Sequence, residues 1–181
     1  MRCLSALAAL AIVAVSAVGD ACAQQTSVRL AEQDIKAGLL YNFLRYTEWP
    51  QPTASGAAMV VCIYGRDPFS GRLASMSGRT VNQRTIEVRV LREAAQANAC
   101  SLLFVSADER SNWPRLRSQL GERGVLTVSD YDGFARSGGM IEFTRINNRI
   151  GVRVNIEAAE AANLSVQDRL LRLARVVRTA P

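Results

Sequence analysis

The sequence contains no histidine, and this absence excludes several kinds of active site. A Ser-His-Asp triad and a Cys-His pair both use an imidazole as the general base. Histidine-ligated zinc, histidine-ligated haem and an imidazole pH switch are excluded for the same reason. Only four cysteines occur, and no two of them form a C-x-x-C pair, which argues against a zinc ribbon and a thioredoxin-type redox motif.

Aromatic residues are also scarce, at 6% of the chain, so an aliphatic core is expected. The hydrophobic fraction of 49% and the charged fraction of 21% are typical of a globular domain and not of a disordered tail. Lysine occurs only at Lys36, and arginine supplies the other basic residues of a chain whose formal net charge is +6.

Residues 1–23 have the features of a secretory signal peptide: a positive charge at Arg2, an apolar stretch, and a small-x-small pattern ending at Ala23. The apolar stretch is shorter than the ~20 residues that a membrane-spanning helix needs. We therefore expect cleavage after Ala23, a mature domain over residues 24–181, and a location in a bacterial periplasm. A retained signal anchor and lipidation of Cys22 are the alternatives.

The predicted export changes the interpretation of the remaining cysteines and of the charge. Cys62 and Cys100 stay in the mature chain, and an oxidising compartment favours a disulfide between them. Two separate buried thiols are the alternative. A basic exported domain is not expected to bind nucleic acid, so its charge favours an anionic membrane surface or an acidic partner.

Hydrophobic periodicity predicts alternating helices and strands, beginning with a helix over residues 28–46 that ends before Pro50. Strands are predicted over residues 58–64, 85–90, 101–105 and 125–128, with helical segments between them over residues 68–76, 92–98 and 108–120. Next come antiparallel strands over residues 140–143 and 150–154, then helices over residues 156–162 and 165–177. The predicted fold is a single-domain, three-layer α/β sandwich: a mostly parallel sheet with helices on both faces and an antiparallel hairpin near the C-terminus.

Loops at two predicted strand ends are candidate ligand sites. Gly65–Gly71 follows a strand and opens a helix, and such loops line ligand crevices in open α/β sheets. Its sequence matches neither the dinucleotide fingerprint nor the P-loop, and a capped turn is the alternative. Ser106 and Asp108 lie at another strand end, but no histidine or nearby lysine could act as a base, so helix capping is the better interpretation.

The end of the first helix carries candidate binding residues, Arg45, Glu48 and Trp49. Tryptophan and arginine are over-represented at interaction hot spots. The alternative is that Trp49 packs over the sheet edge. The last predicted helix carries an arginine at every third position from Arg169, which indicates mainly a solvated face, with a membrane-proximal role as the alternative.

A family resemblance rests on the order and spacing of several segments. These are Lys36–Pro50, the Cys62 and Cys100 pair, Gly65–Phe69, Gly138–Phe143, residues 148–156 and residues 170–174. Together they resemble the YfiR family of periplasmic proteins over nearly all of the mature chain. The resemblance implies an α/β sandwich that acts as a regulator and not as an enzyme, and no cofactor is expected.

The resemblance also implies partners. YfiR-like proteins hold back an inner-membrane diguanylate cyclase by contacting its periplasmic sensor region, and relief of that repression raises cyclic-di-GMP and favours biofilm growth. A homodimer and an outer-membrane lipoprotein as a second partner are implied as well. Cys62 and Cys100 fit the structural disulfide of the family, but residues 101–181 contain no cysteine, so a redox switch through a second pair is unavailable.

The leading hypothesis is an exported binding protein that represses a membrane signalling enzyme by protein contact. The residues expected at the partner interface or in a ligand pocket are Arg45, Glu48, Trp49 and Arg66, with Leu164 and the following helix, including Arg169, as a second surface. The rival hypothesis is a periplasmic protein that binds an anionic solute at the strand-end loops around Arg66 and Asp108. A hydrolase using Ser106 or Asp108 is the third.

Overall fold

A computed structural model describes residues 17–49, 57–147, 149–172 and 174–180. The chain divides into two compact units, residues 1–32 and residues 33–181. The described part of the first unit is helical, and the second unit contains the strands. The predicted cleavage site after Ala23 lies within a helix, while residues 1–16 of the predicted signal peptide lie outside the described residues. No helix among the described residues has the length and hydropathy needed to cross a bilayer.

The described residues contain four α-helices, three short 3-10 helices and ten strands. The α-helices are α1 (Ala17–Arg45), α2 (Trp113–Leu120), α3 (Ile156–Ala161) and α4 (Asp168–Leu171). The 3-10 helices are Arg72–Met76, Ala94–Ala99 and Ala107–Asn112. The strands are β1 (Thr47–Glu48), β2 (Met59–Tyr64), β3 (Thr80–Val81), β4 (Arg84–Leu91), β5 (Leu102–Val105), β6 (Leu126–Ser129), β7 (Ile141–Ile146), β8 (Arg149–Asn155), β9 (Ser165–Val166) and β10 (Arg175–Val177).

Eight strands form one mixed sheet in the order β10-β8-β7-β6-β5-β2-β4-β3. Neighbouring strands are parallel except in the β7–β8 hairpin and in the β3–β4 pair at one edge. Strands β1 and β9 form a separate antiparallel pair. The predicted α/β fold, with its mostly parallel sheet and late hairpin, is confirmed.

Both faces of the sheet are buried, which is why the central strands are continuous apolar runs. Val61 and Ile63 of β2 face a core that includes Leu40 and Phe43 of α1. The opposite face of the sheet has its own core, which includes Cys62 and Leu103 of the central strands and Trp113 and Leu116 of α2. Helices on both faces, as predicted, therefore cover the sheet.

The last predicted helix, over residues 165–177, is wrong. Ser165 and Val166 form β9 and pair with β1, so they do not cap a helix. Only one turn, α4, is helical, and Arg175–Val177 then joins the sheet as β10 beside β8. Two consecutive β-branched valines favour a strand, and pairing with β8 supplies hydrogen bonds that an isolated helix end would lack.

Two of the other predicted helices are 3-10 helices, and the segment predicted as a helix over residues 108–120 is a 3-10 helix followed by α2. Before the 3-10 helix Arg72–Met76, the Asp67 carboxylate closes the loop that contains it. It accepts the backbone N–H of Phe69 at 2.8 Å and that of Gly71 at 2.7 Å. This confirms the capped-turn interpretation of residues 65–71. The 3-10 helix begins only at Arg72 because Ser70 (φ +51°) and Gly71 (φ +79°) adopt left-handed backbone conformations, which a right-handed helix does not contain.

A buried carboxylate fixes the loop between β6 and β7. Glu142 is fully buried, accepts the backbone N–H of Ala135 at 3.0 Å and forms an ion pair with Arg153 at 2.6 Å. The same guanidinium nitrogen contacts exposed Asp132 at 3.0 Å. Hydrogen bonding to Asp132 raises the pKa of Arg153, and the same bond lowers the pKa of Asp132. Charge-assisted bonds therefore hold the β6–β7 loop on the hairpin.

Steric constraints explain why two consecutive glycines, Gly138 and Gly139, lie in this loop. An ideal Cβ added at Gly139 would lie 2.3 Å from the Phe134 ring, closer than any real contact. Gly138 has φ +87° and lies under the guanidinium of Arg117. Both positions therefore favour glycine, which accounts for part of the segment that carried the family resemblance.

Candidate functional site

The β1–β9 pair brings together two parts of the chain that are far apart in sequence. Thr47 pairs with Val166 and Glu48 with Ser165. Gln167 extends the pairing, because its backbone N–H donates to the Tyr46 carbonyl at 3.0 Å. Its side-chain amide donates to the Glu48 carboxylate at 2.8 Å. The end of α1 and the beginning of α4 are thus held against each other as one ribbon.

Tyr46 lies between two arginines on this ribbon. The Arg45 and Arg169 guanidinium carbons lie 5.5 Å and 5.3 Å from the centre of the Tyr46 ring. These distances suit cation–π attraction, which favours Arg because its planar group can also stack. Both arginines are exposed, so their charges face solvent.

Trp49 follows the ribbon directly. Its indole Nε1–H donates to the Gly124 carbonyl at 2.7 Å, and its side chain is half-buried against the core. Gly124 has φ +67°, and an added Cβ would contact both Trp49 and Leu164 at 3.7–3.8 Å. Leu164 is 2% exposed and packs in the core beneath this contact.

Four predicted binding residues therefore lie together on or beside the ribbon. We call the group Arg45, Tyr46, Glu48, Trp49 and Arg169 the ribbon surface. The sequence had suggested two separate surfaces, and the structure places them side by side. Leu164 is buried, so it supports the surface and does not face a partner in this conformation. The binding role of all these residues stays a prediction.

Sequence reasoning missed Tyr46 and Gln167 as parts of this surface. Tyr46 fitted the apolar stripe of the first helix, and Gln167 fitted a capping box. Tyr46 meets Arg169, and Gln167 meets Glu48, only through a pairing between residues 119 positions apart in sequence. No local pattern signals such a pairing.

A cleft of about 450 Å³ adjoins the ribbon at the amino ends of the central strands. We call it the Trp49 cleft. Its lining includes Trp49, Arg84, Arg89, Ser101 and Arg123. Ligand crevices of open α/β enzymes lie at the carboxyl ends of the strands, which is the opposite edge of this sheet.

The predicted disulfide forms one wall of the Trp49 cleft. Cys62 on β2 is bonded to Cys100, just before β5, and their Cα atoms are 5.9 Å apart. Cys62 is fully buried and Cys100 is 6% exposed, with Cys100 on the cleft lining. The bond therefore ties two neighbouring strands beside the cleft.

At the carboxyl edge of the sheet, the two loops predicted to bind a ligand, around Arg66 and around Asp108, are hydrogen-bonded to each other. The backbone N–H of Arg66 donates to the Asp108 carboxylate at 3.2 Å, and the Ser106 hydroxyl donates to the Arg66 carbonyl. An anion at this loop would need hydrogen-bond donors, but it would meet the negatively charged carboxylate of Asp108. Ser106 is 3% exposed and already bonded, so it is poorly placed to attack a substrate. These contacts weaken both the anionic-solute and the hydrolase interpretations.

The structure is thus a disulfide-bonded α/β domain in which four of the predicted binding residues lie on or beside one ribbon. A family model described as YfiR/HmsC-like matches residues 33–175, and the chain belongs to that family. The family is regulatory rather than catalytic, and membership supports a periplasmic regulator in cyclic-di-GMP signalling. No curated protein matches the chain.

Replacing Trp49 with phenylalanine should lower the free energy of unfolding by about 1 kcal/mol, because the ring packing remains while the bond to the Gly124 carbonyl is lost. Urea unfolding would measure the difference, with an unchanged m-value showing that both states keep their compactness. An unfolding free energy equal to that of the wild type would contradict a stabilising role for this bond.

Proposed function

We propose that this chain is a periplasmic repressor of an inner-membrane diguanylate cyclase, and that it lowers cyclic-di-GMP and biofilm formation by protein contact. Membership in the YfiR/HmsC-like family supports the signalling context. The disulfide between Cys62 and Cys100 is consistent with an extracytoplasmic location. The observation that carries the proposal is the ribbon surface, which would contact the periplasmic sensor region of the cyclase.

The ribbon surface has the composition and the rigidity expected of an interaction hot spot. It combines Trp49, Tyr46 and two exposed arginines, the residue types that dominate binding energy at interfaces. Strand pairing orders the backbone of this surface, and the Trp49–Gly124 bond orders its indole, before a partner arrives. Such preorganisation reduces the entropy lost on binding.

Two further partners belong to the same proposal through the family resemblance. One is a second copy of the chain, forming a homodimer. The other is an outer-membrane lipoprotein that would sequester the repressor. Neither is assigned a surface here, because the ribbon surface is proposed for the cyclase.

Deleting the gene from the native host should raise cellular cyclic-di-GMP and biofilm mass, because the cyclase loses its repressor. The measurement is nucleotide quantification by mass spectrometry in the deletion strain. The full-length gene should restore the original level. A chain that lacks residues 1–23 and stays in the cytosol should not restore it, which tests the predicted location.

An unchanged cyclic-di-GMP level in the deletion strain, with the membrane cyclase expressed, would overturn the proposed function. Full restoration by the cytosolic chain would retain a signalling role but contradict contact in the periplasm. The exported chain with Arg45→Glu and Arg169→Glu together should restore the level less well than the wild-type chain at equal abundance.

A further inference from the structure

The Trp49 cleft carries more positive than negative charge. Its walls hold Arg84, Arg89 and Arg123 against a single carboxylate, Glu87. Glu87 and Arg89 form an ion pair at 2.5 Å and neutralise each other. Arg84 donates to two backbone carbonyl oxygens before β2, both at 2.8 Å, so its hydrogen bonds are satisfied while its charge is not.

Arg123 is the most available cation of the cleft. Its side chain is exposed, and no carboxylate among the described residues forms an ion pair with it. It lies next to Gly124, whose carbonyl accepts the Trp49 indole N–H. Exposed Arg123 and half-buried Trp49 therefore line the same cleft.

The ribbon surface adds two exposed arginines, Arg45 and Arg169, to the positive charge of the cleft. Trp49 directly follows Glu48 of β1, so the ribbon surface and the Trp49 cleft adjoin each other. Arg45 and Arg169 lie within cation–π distance of the Tyr46 ring, and the carboxylate of Glu48 is bonded to the Gln167 amide. Five arginines less two glutamates leave a net charge of +3 over the two features.

We propose that the Trp49 cleft and the ribbon surface together bind an extended acidic segment of a protein partner. Carboxylates would pair with Arg123, Arg45 and Arg169, and an apolar side chain would pack beside Trp49. Guanidinium–carboxylate bonds are charge-assisted and can be bidentate, which favours this pairing over neutral contacts. The identification of that partner with the cyclase rests on the proposed function.

An extended segment fits the distribution of charge better than one small anion does. Residues of an extended chain rise ~3.3 Å each, so successive carboxylates can reach cations that are spread along a surface. A single small anion can satisfy only the guanidiniums at one point. The positive charge would also steer an acidic partner and raise its association rate.

The test is calorimetric titration of the mature chain with a synthetic peptide of glutamates around one central leucine. The matched probe replaces every glutamate with glutamine. The variants are Arg123→Glu and Arg169→Glu, and the control variant is Arg92→Glu, which changes an exposed arginine just beyond the carboxyl end of β4.

We expect the glutamate peptide to bind and the glutamine peptide not to bind, with affinity falling as salt is raised. Each of the two site variants should weaken binding about tenfold, while the control changes it by less than about twofold. Equal binding of the two peptides, or equal binding by the wild type and both site variants, would overturn the proposal.

Vesicles of phosphatidylglycerol and phosphatidylcholine separate a protein segment from a lipid surface. If the wild type binds vesicles but not the peptide, and Arg123→Glu abolishes vesicle binding, the site binds a membrane surface and not an acidic segment. That result would overturn the proposal. Peptide binding combined with an unchanged cyclic-di-GMP level in the deletion strain would overturn the proposed function and leave the acidic-segment site intact.

Discussion

Replacing both Cys62 and Cys100 with serine should lower the free energy of unfolding by about 4 kcal/mol in the loop-entropy model of a disulfide that spans 38 positions. The loss arises because the unfolded chain regains the freedom that the crosslink removes. Buried hydroxyl groups without partners would add to the cost, since Cys62 is fully buried. Chemical denaturation of the oxidised wild type and the double variant measures the difference.

The wild-type chain treated with a reducing agent is the matched control, since it loses the crosslink and keeps both sulfur atoms in the core. Its stability should fall between that of the oxidised chain and that of the double serine variant. Titration of two free thiols per native exported chain, or equal stability with and without reductant, would show that the crosslink does not stabilise the domain.

Changing Arg153 to alanine should lower the free energy of unfolding by about 3–5 kcal/mol, because removing one partner of a buried ion pair leaves an uncompensated charge. Glu142 would keep the backbone N–H of Ala135 but lose the guanidinium at 2.6 Å. The β6–β7 loop and the hairpin should loosen together. Denaturant unfolding and amide hydrogen exchange of residues 130–139 would show both effects.

The control for this change is Asp132→Asn. Asp132 contacts the same guanidinium nitrogen but its side chain is 92% exposed, so its loss should cost less than about 1 kcal/mol. A double-mutant cycle with Glu142→Gln isolates the energy of the buried pair. If Arg153→Ala and Asp132→Asn destabilise equally, the buried carboxylate does not depend on Arg153.

Local patterns predicted the central part of the fold because its strands and helices are determined by short stretches of sequence. The apolar runs that became β2 and β5 are buried on both faces, and a two-sided core requires such runs. The β7–β8 hairpin was found in the same way, since two strands flank a short polar turn. Asp67 followed by Pro68 predicted a capped helix from Pro68, whereas the carboxylate of Asp67 closes a turn and the 3-10 helix begins at Arg72.

The parts that could not be predicted depend on contacts between distant residues. Ser165 and Val166 fit a helix cap by local sequence. In the structure they instead pair as a strand with Thr47 and Glu48. Arg175–Val177 becomes a strand only because the exposed edge of β8 is available to it. The ribbon surface follows from the first of these pairings, so its separate residues could be proposed from composition and position, but their proximity could not.

The eight-stranded sheet ends on each side in a very short strand, two residues in β3 and three in β10. A long, flat outer strand would expose a row of unpaired amides and carbonyls on which another molecule could add its own strand. Here β10 also carries exposed Arg175, whose charge opposes the stacking of identical copies. On the other side, β3 pairs only with Arg84 and Thr85 of β4, so along the rest of β4 the exposed charges of Glu87 and Arg89, and not a short outer strand, oppose edge-to-edge addition.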